Sequence, residues 1–324
     1  MATARLAHAP EWVPVITRAY EHEPLYVAGQ DRSGRPGMLP AFVVRRPLGG
    51  TVVTSMPFLD SGGPCAASPA LATALVRRLL VEARRRGAQA VEIRSAERLA
   101  IPAAPSEAKV NLTLPLPADP DRLWQQFDGS VRNQIRKAER AGLSVDVGGV
   151  EHLSSFYEVF AERMRDLGSP VHARAFLRAV LDCFGSRARI ALVRKANACI
   201  GGLLALACAD RLVVPWAACR KEFFALCPNM LMYWETLRSA CLERFTVFEF
   251  GRSTRGSGTY RFKRQWGARE EPLFWYTIPL AAPSRASIAR DGSAAATLAA
   301  TAWQRLPLGI TVTLGPHLRK YLVQ

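Results

Sequence analysis

Two long helices, each opened by a proline and each leading into a short apolar strand, set the frame of this chain. Between residues 69 and 86, Leu71, Leu75, Leu79 and Ala83 recur four apart and line one helix face. Pro69 falls in the first turn, where its missing N–H costs nothing. Gly87 ends the helix, and 90–94 reads as a strand with core positions Val91 and Ile93. The arrangement returns between 228 and 245: Pro228 opens the helix, Leu231, Trp234, Leu237 and Cys241 share a face, and 246–250 is the next strand. Similar elements surround each pair. A helix at 10–20 and strands at 24–29, 38–46 and 51–55 precede the first, and an alternating strand at 111–116 follows it. Helices at 156–167 and 173–184, closed by Gly168 and Gly185, and strands at 189–194, 198–209 and 212–218 precede the second. This order, stated twice, predicts an α/β (α+β) fold in two halves. No residue-level repeat accompanies it, so the duplication rests on pattern alone.

The expected divisions are a first domain over 1–118, a connecting basic helix over 119–142, a second domain over 143–280 and a tail over 281–324. In the connecting helix Leu123, Phe127, Val131, Ile135 and Ala138 form the apolar stripe, while Arg132, Arg136, Lys137 and Arg140 occupy other faces and Gly142 suits its end. That cationic face is either solvated or anion-binding. The tail opens Ala/Ser-rich (282–300), a linker with a helix, and then mixes Trp303, Leu306, Leu308, Ile310, Leu314 and Leu318 with Arg305, Arg319 and Lys320. Such a composition fits peripheral contact with an anionic membrane surface, or an appendage packed on the fold.

The stretch most suggestive of chemistry follows the strand at 246–250. It reads Gly251-Arg252-Ser253-Thr254-Arg255-Gly256-Ser257-Gly258-Thr259-Tyr260-Arg261-Phe262-Lys263-Arg264-Gln265-Trp266-Gly267. A strand enters a Gly/Ser/Thr/Arg loop, and the loop opens a short aromatic and cationic segment. Backbone N–H groups of such a loop at a helix start favour anions, as do the flanking cations. A basic surface turn would have the same composition.

The stretch resembles the signature of the FemAB-like subgroup associated with exosortase/PEP-CTERM exopolysaccharide systems, within the Fem peptidyltransferase and GNAT acyltransferase superfamily. Trp12-Val13-Pro14-Val15-Ile16, Gly37-Met38-Leu39-Pro40-Ala41-Phe42-Val43-Val44-Arg45, Val91-Glu92-Ile93-Arg94 and Arg132-Asn133-Gln134-Ile135-Arg136-Lys137-Ala138 are similar to other motifs of that group. So is Ser55-Met56-Pro57-Phe58-Leu59-Asp60-Ser61-Gly62-Gly63-Pro64, although Asp60-Ser61 stands where an aromatic is expected before the Gly pair. The resemblance spans roughly residues 9 to 278. It implies tandem GNAT-like domains, each a twisted mixed β-sheet flanked by helices, with a cleft between them. The connecting helix would adjoin that cleft, so that Arg132, Asn133 and Arg136 bind phosphate or carboxylate.

The chain of 324 residues carries a formal net charge of +16, which predicts affinity for tRNA, anionic lipid head groups or phosphorylated sugar carriers without choosing among them. No apolar run is long enough to span a membrane, and residues 1–10 do not read as a secretory signal. The 7 cysteines lack CxxC or Cys/His metal spacing and read as reduced thiols, which suggests the cytoplasm, or the inner face of its membrane. No metal site is expected.

An acyl-CoA-dependent GNAT needs a Gly-containing loop between its fourth strand and the next helix. Residues 218–229 contain no Gly, and Asp60-Ser61-Gly62-Gly63-Pro64 is too short for one. The pattern therefore suits a donor such as aminoacyl-tRNA better than acyl-CoA, with no tightly bound cofactor. Arg220 and Lys221 could meet a phosphate or lie in an exposed turn. The histidines His8, His22, His152, His172 and His317 fall in no catalytic context, so direct transfer without a covalent enzyme intermediate is expected. Phe262-Lys263 matches a Phe-Lys pair of Fem ligases, which implies that Lys263 supplies positive charge at the reacting centre or holds a substrate anion. Tyr260, Arg261, Phe262 and Trp266 would line the same cleft, with Arg252 and Arg255 binding substrate. Glu249 is a candidate general base, or the partner of a neighbouring Arg; Asp60 is a second candidate base. The reading is a transferase moving an acyl or aminoacyl group onto an amine of a cell-envelope or exopolysaccharide precursor, an anionic small molecule or lipid-linked acceptor. An acyl-CoA-dependent N-acyltransferase and a non-catalytic Fem-like binding protein are the alternatives.

Overall fold

The computed structural model describes residues 4–47, 50–281 and 294–322. Its strands are β1 (Glu23–Pro24), β2 (Val27–Gln30), β3 (Pro36–Leu39), β4 (Phe42–Arg46), β5 (Gly50–Thr54), β6 (Ala88–Ser95), β7 (Lys109–Pro115), β8 (Leu143–Gly148), β9 (Ala188–Lys195), β10 (Ala198–Cys208), β11 (Arg211–Cys219), β12 (Val247–Thr254), β13 (Arg269–Pro272) and β14 (Phe274–Pro279). Its helices are α1 (Trp12–Tyr20), α2 (Pro69–Arg85), α3 (Pro120–Gln126), α4 (Gly129–Arg140), α5 (Leu153–Asp166), α6 (Arg174–Phe184), α7 (Pro228–Leu242), α8 (Gly258–Arg264), α9 (Ala294–Gln304) and α10 (Leu308–Arg319). Two units result. The first is Met1–Val110 with Glu271–Ala296 and Lys320–Gln324; the second is Asn111–Glu270 with Thr297–Arg319. These bounds differ from those expected. The segment 111–118 and the connecting helix fall in the second unit, and 271–280 falls in the first. The early part of the expected linker, 282–293, lies outside the described residues.

In the first unit the sheet runs β1-β4-β5-β6-β14. β4 and β5 are antiparallel (Val43↔Val53), β5 and β6 parallel (Val53↔Val91), and β6 and β14 antiparallel (Ile93↔Tyr276). The parallel step needs a crossover, and α2 supplies it. Ser68 caps α2 by accepting from the Leu71 N–H at 3.3 Å, and Pro69 opens it. Leu71, Leu75, Leu79 and Ala83 then bury against Val43, Val53, Val91 and Ile93. The expected strand at 38–46 is two strands: β3 pairs with β2 in a hairpin, and β4 joins the main sheet. Pro40, between them, has no N–H to continue a ladder.

In the second unit the sheet runs β13-β7-β12-β11-β10-β9-β8, with β7 and β13 extending past its chain boundaries. β8, β9, β10 and β11 form an antiparallel meander, and α7 crosses over to β12, which is parallel to β11. Ile200 to Leu206 of β10 are buried without alternation because α5 and α7 both pack on this strand. The room is tight: a Cβ on Gly201 would lie 2.3 Å from the Cys219 Sγ. The expected connecting helix is broken into α3 and α4 at Phe127, whose ψ of 143° leaves the helical region.

His172 lies inside this unit, 1% exposed and stacked on Phe176 at 4.5 Å, and its Nε2 accepts from the Arg319 Nε at 3.2 Å. Burial first, and the Arg319 charge second, hold the imidazole well below its ordinary value of 6.5. Burial also lowers His8 and His22 in the first unit. Because the folded values are depressed, the unfolded chain binds more protons below 6.5, so stability present above that pH is lost as pH falls through it. The melting temperature should therefore drop between about pH 7 and pH 5, within the window set by the histidine reference value. His172→Phe should flatten that dependence in calorimetric scans; an unchanged slope would show that His172 is not its source.

Candidate active site

β11 and β12 are parallel neighbours for three residue pairs only, Arg211↔Val247, Leu212↔Phe248 and Val213↔Glu249. Beyond them β11 continues to Cys219 and β12 to Thr254 with no pairing between the two. Gly251, two residues past the last pair, has φ +75°, a backbone setting that any other residue would adopt only with strain. The chain then forms the Gly/Ser loop and α8, whose Ser257 accepts from the Tyr260 N–H at 3.2 Å.

Lys263 closes this turn. Its Nζ donates to the Gly251 carbonyl at 2.9 Å and to the Arg252 carbonyl at 2.7 Å, and the residue is only 9% exposed. The ammonium thus accepts the role of a ladder partner for carbonyls beyond the last β11–β12 pair. Further out, Arg261 donates to the Gly256 carbonyl at 2.6 Å. Arg255 pairs with Glu270 at 2.9 Å, and the Tyr260 hydroxyl donates to the same carboxylate. That hydrogen bond raises the Tyr260 phenol, and together with Arg255 it lowers Glu270. Glu270 was not legible as a site residue; an acidic pair directly after a cationic run is the signal that marks it.

The expected site residues divide by location. Lys263, Arg252, Arg255, Tyr260 and Arg261 are gathered on β12, the loop and α8. Phe262 is half-buried and Trp266 is 1% exposed. Trp266 belongs to the core rather than to a substrate-lining surface. It packs with Phe127 at 5.2 Å, Phe262 at 6.3 Å and Tyr233 at 6.4 Å, because the turn that closes α8, where the Trp266 N–H donates to the Lys263 carbonyl, returns it to the Phe262 side. Glu249 shows the second of its two alternatives: Oε1 accepts from Arg211 at 2.7 Å and Oε2 from Asn111 at 3.1 Å, so both oxygens are engaged. On α4, Val131, Ile135 and Ala138 face inward, Arg132 is half-buried, and Asn133 and Arg136 are exposed, with Arg136 over the Trp124 ring at 5.6 Å. Arg220 is paired with Glu162 at 3.0 Å and Lys221 is exposed.

Asp60 belongs to the first unit, half-buried in the loop after β5. Met56 and Phe58 of that loop have φ of 42° and 71°, a strained setting for side-chain-bearing residues. Arg94, 2% exposed, braces it by donating to the Leu59 carbonyl at 2.9 Å, with its guanidinium 4.8 Å from the Trp275 ring. None of the seven cysteines is in a disulfide. Burial raises the Cys199, Cys208 and Cys219 thiols, and that of Cys241 to about 11, so none of these four is a thiolate nucleophile near neutral pH. Among the described residues no group of His, Cys, Asp or Glu has metal-holding geometry.

The fold is shared with known structures at low identity. FemX matches with a TM-score of 0.65 and 14% identity, over 85% of this chain and 92% of that one. The C-terminal domain of a putative lysylphosphatidylglycerol synthetase from Agrobacterium fabrum matches with a TM-score of 0.55 and 11% identity, over 89% of each chain. L-PGS from Bacillus licheniformis also gives 0.55 and 11%, over 98% of each. No curated protein matches the sequence. Residues 125–264, which include the diverging strands and α8, match the acetyltransferase (GNAT) domain family. That segment is thus similar to the acetyltransferase (GNAT) domain family, within a fold shared with FemX.

Proposed function

We infer that the protein transfers an acyl or aminoacyl group directly onto an amine of a cell-envelope or exopolysaccharide precursor. The observation that carries this reading is the divergence of β11 and β12 inside the GNAT segment, with Lys263 holding the carbonyls past it. Diverging parallel strands leave backbone N–H and C=O groups free to hold a polar, extended substrate, as a sheet edge accepts an added strand. In the reaction the acceptor amine attacks the donor carbonyl, a C–N bond forms, and the donor ester or thioester bond breaks. The proton lost by the amine ends on the departing hydroxyl or thiol, so no covalent enzyme intermediate is required. Lys263 acts in this reading as a positioning residue that fixes the loop at the opening.

Aminoacyl-tRNA is the favoured donor. Residues 221–226 after β11 form a tight turn without glycine, followed by Cys227 in the left-handed region, rather than a Gly-rich cradle for a pyrophosphate. A charge of +16 suits a polyanion. FemX and the lysylphosphatidylglycerol synthetases are neighbours in fold. Calorimetric titration with aminoacyl-tRNA and with acetyl-CoA decides between donors. Salt-sensitive binding of aminoacyl-tRNA with no acetyl-CoA binding in the low micromolar range is expected. Low micromolar acetyl-CoA binding would overturn the aminoacyl reading in favour of an acyl-CoA-dependent N-acyltransferase. Binding of anionic polysaccharide with neither donor would favour a non-catalytic role.

A further inference from the structure

α10 is oriented against the usual rule for a surface helix. It packs on α5 and on the segment that precedes α6 through small residues. Thr311 is 2% exposed, and a Cβ on Gly315 would lie 3.1 Å from the Val171 backbone. Its large aliphatic residues face out: Ile310 is 43% exposed, Leu314 48% and Leu318 46%. Four-residue spacing puts these three on one stripe about 12 Å long. His317 on the helix and Arg305, three residues before it, are exposed. The C-terminal end of the helix is held down by the Arg319 hydrogen bond to the buried His172, so the stripe is presented by a fixed element.

We propose that this stripe docks on an anionic lipid surface, with α10 lying in the head-group region. Charge chooses the occupant. A second copy seated on the stripe would bring two chains of +16 together, whereas an anionic bilayer attracts that charge and takes the aliphatic residues between its head groups. None of the described helices is long and apolar enough to cross a membrane, so the contact is peripheral. This inference stands apart from the transfer reaction, because it needs neither donor nor acceptor.

The test is co-sedimentation of the full chain with vesicles of phosphatidylcholine alone, or of phosphatidylcholine with phosphatidylglycerol. Binding to the phosphatidylglycerol vesicles only, weakened at roughly 0.5 M salt, is the expected result. The triple variant Ile310→Ser, Leu314→Ser, Leu318→Ser should bind at least about tenfold more weakly. Leu314→Glu alone should weaken binding in the same direction and serves if the triple variant folds poorly, with melting curves reporting the fold of each. Binding by the folded variants equal to wild type, or equal binding to neutral vesicles, would overturn the proposal. Sedimentation velocity without lipid adds a further arm: a wild-type dimer that the triple variant dissociates would assign the stripe to self-association and also overturn it.

Discussion

Trp266→Ala should destabilise the second unit by about 3–5 kcal/mol, the range for removing a large buried aromatic. That corresponds to a fall of roughly 6–20 °C in melting temperature for a unit of this size. The ring is 1% exposed and meets Phe127 edge-on at 5.2 Å, with Tyr233, Phe250 and Phe262 all within 6.5 Å. These residues come from α7, β12, α8 and the break before α4, so the cavity would lie where four elements meet. Trp266→Phe should cost much less. It keeps an aromatic ring and removes an indole N–H that is buried with no protein partner among the described residues. Thermal or chemical unfolding of both variants checks this. Equal, small losses would mean that the aromatic cluster does not anchor α8.

Lys263→Met should lower both stability and transfer. Methionine keeps most of the stem but offers no donor to the Gly251 and Arg252 carbonyls, now 2.9 and 2.7 Å from the amine. Each acceptor left unsatisfied costs about 1–3 kcal/mol. They belong to the part of β12 beyond its last pair with β11, so the opening should lose its shape and transfer should fall on the order of a hundredfold. A clamp predicts that KM for the donor rises together with the fall in melting temperature. A full-strength fold combined with a loss confined to kcat would instead place the ammonium on the developing oxyanion. Normal stability together with normal transfer would remove Lys263 from the site altogether.

The sequence exposes those parts whose stabilising groups are local. α2 and α7 are legible because their apolar stripes and opening prolines lie within one element, and β10 because burial on both faces leaves a continuous apolar run. β8 is easy to miss: only Leu143 of its residues is buried, so its hydrophobic signal is weak. β14 pairs with β6 across about 180 residues of chain, and nothing within Phe274–Pro279 names that partner. The site follows the same division. The loop and α8 are visible as a Gly/Ser turn running into cations. The use of those cations is set by distant or backbone acceptors: Lys263 serves carbonyls exposed by a kink at Gly251, and Arg211 and Asn111 occupy Glu249. Trp266 reads as a lining residue only until the turn that closes α8 is set against the apolar faces of α7 and β12.

The placement of β14 also bears on how the protein is made. The first unit is interrupted in sequence by Asn111–Glu270 and regains an edge strand only with Phe274–Pro279. On the ribosome its first 110 residues therefore emerge with β6 lacking that neighbour, and must wait while the intervening 160 residues are synthesised. At typical translation speeds the wait is on the order of 10–30 s, ample time for the inserted unit to fold first. During it the open side of β6 is a strand edge in search of a partner, the part of the nascent chain where a chaperone would be needed most.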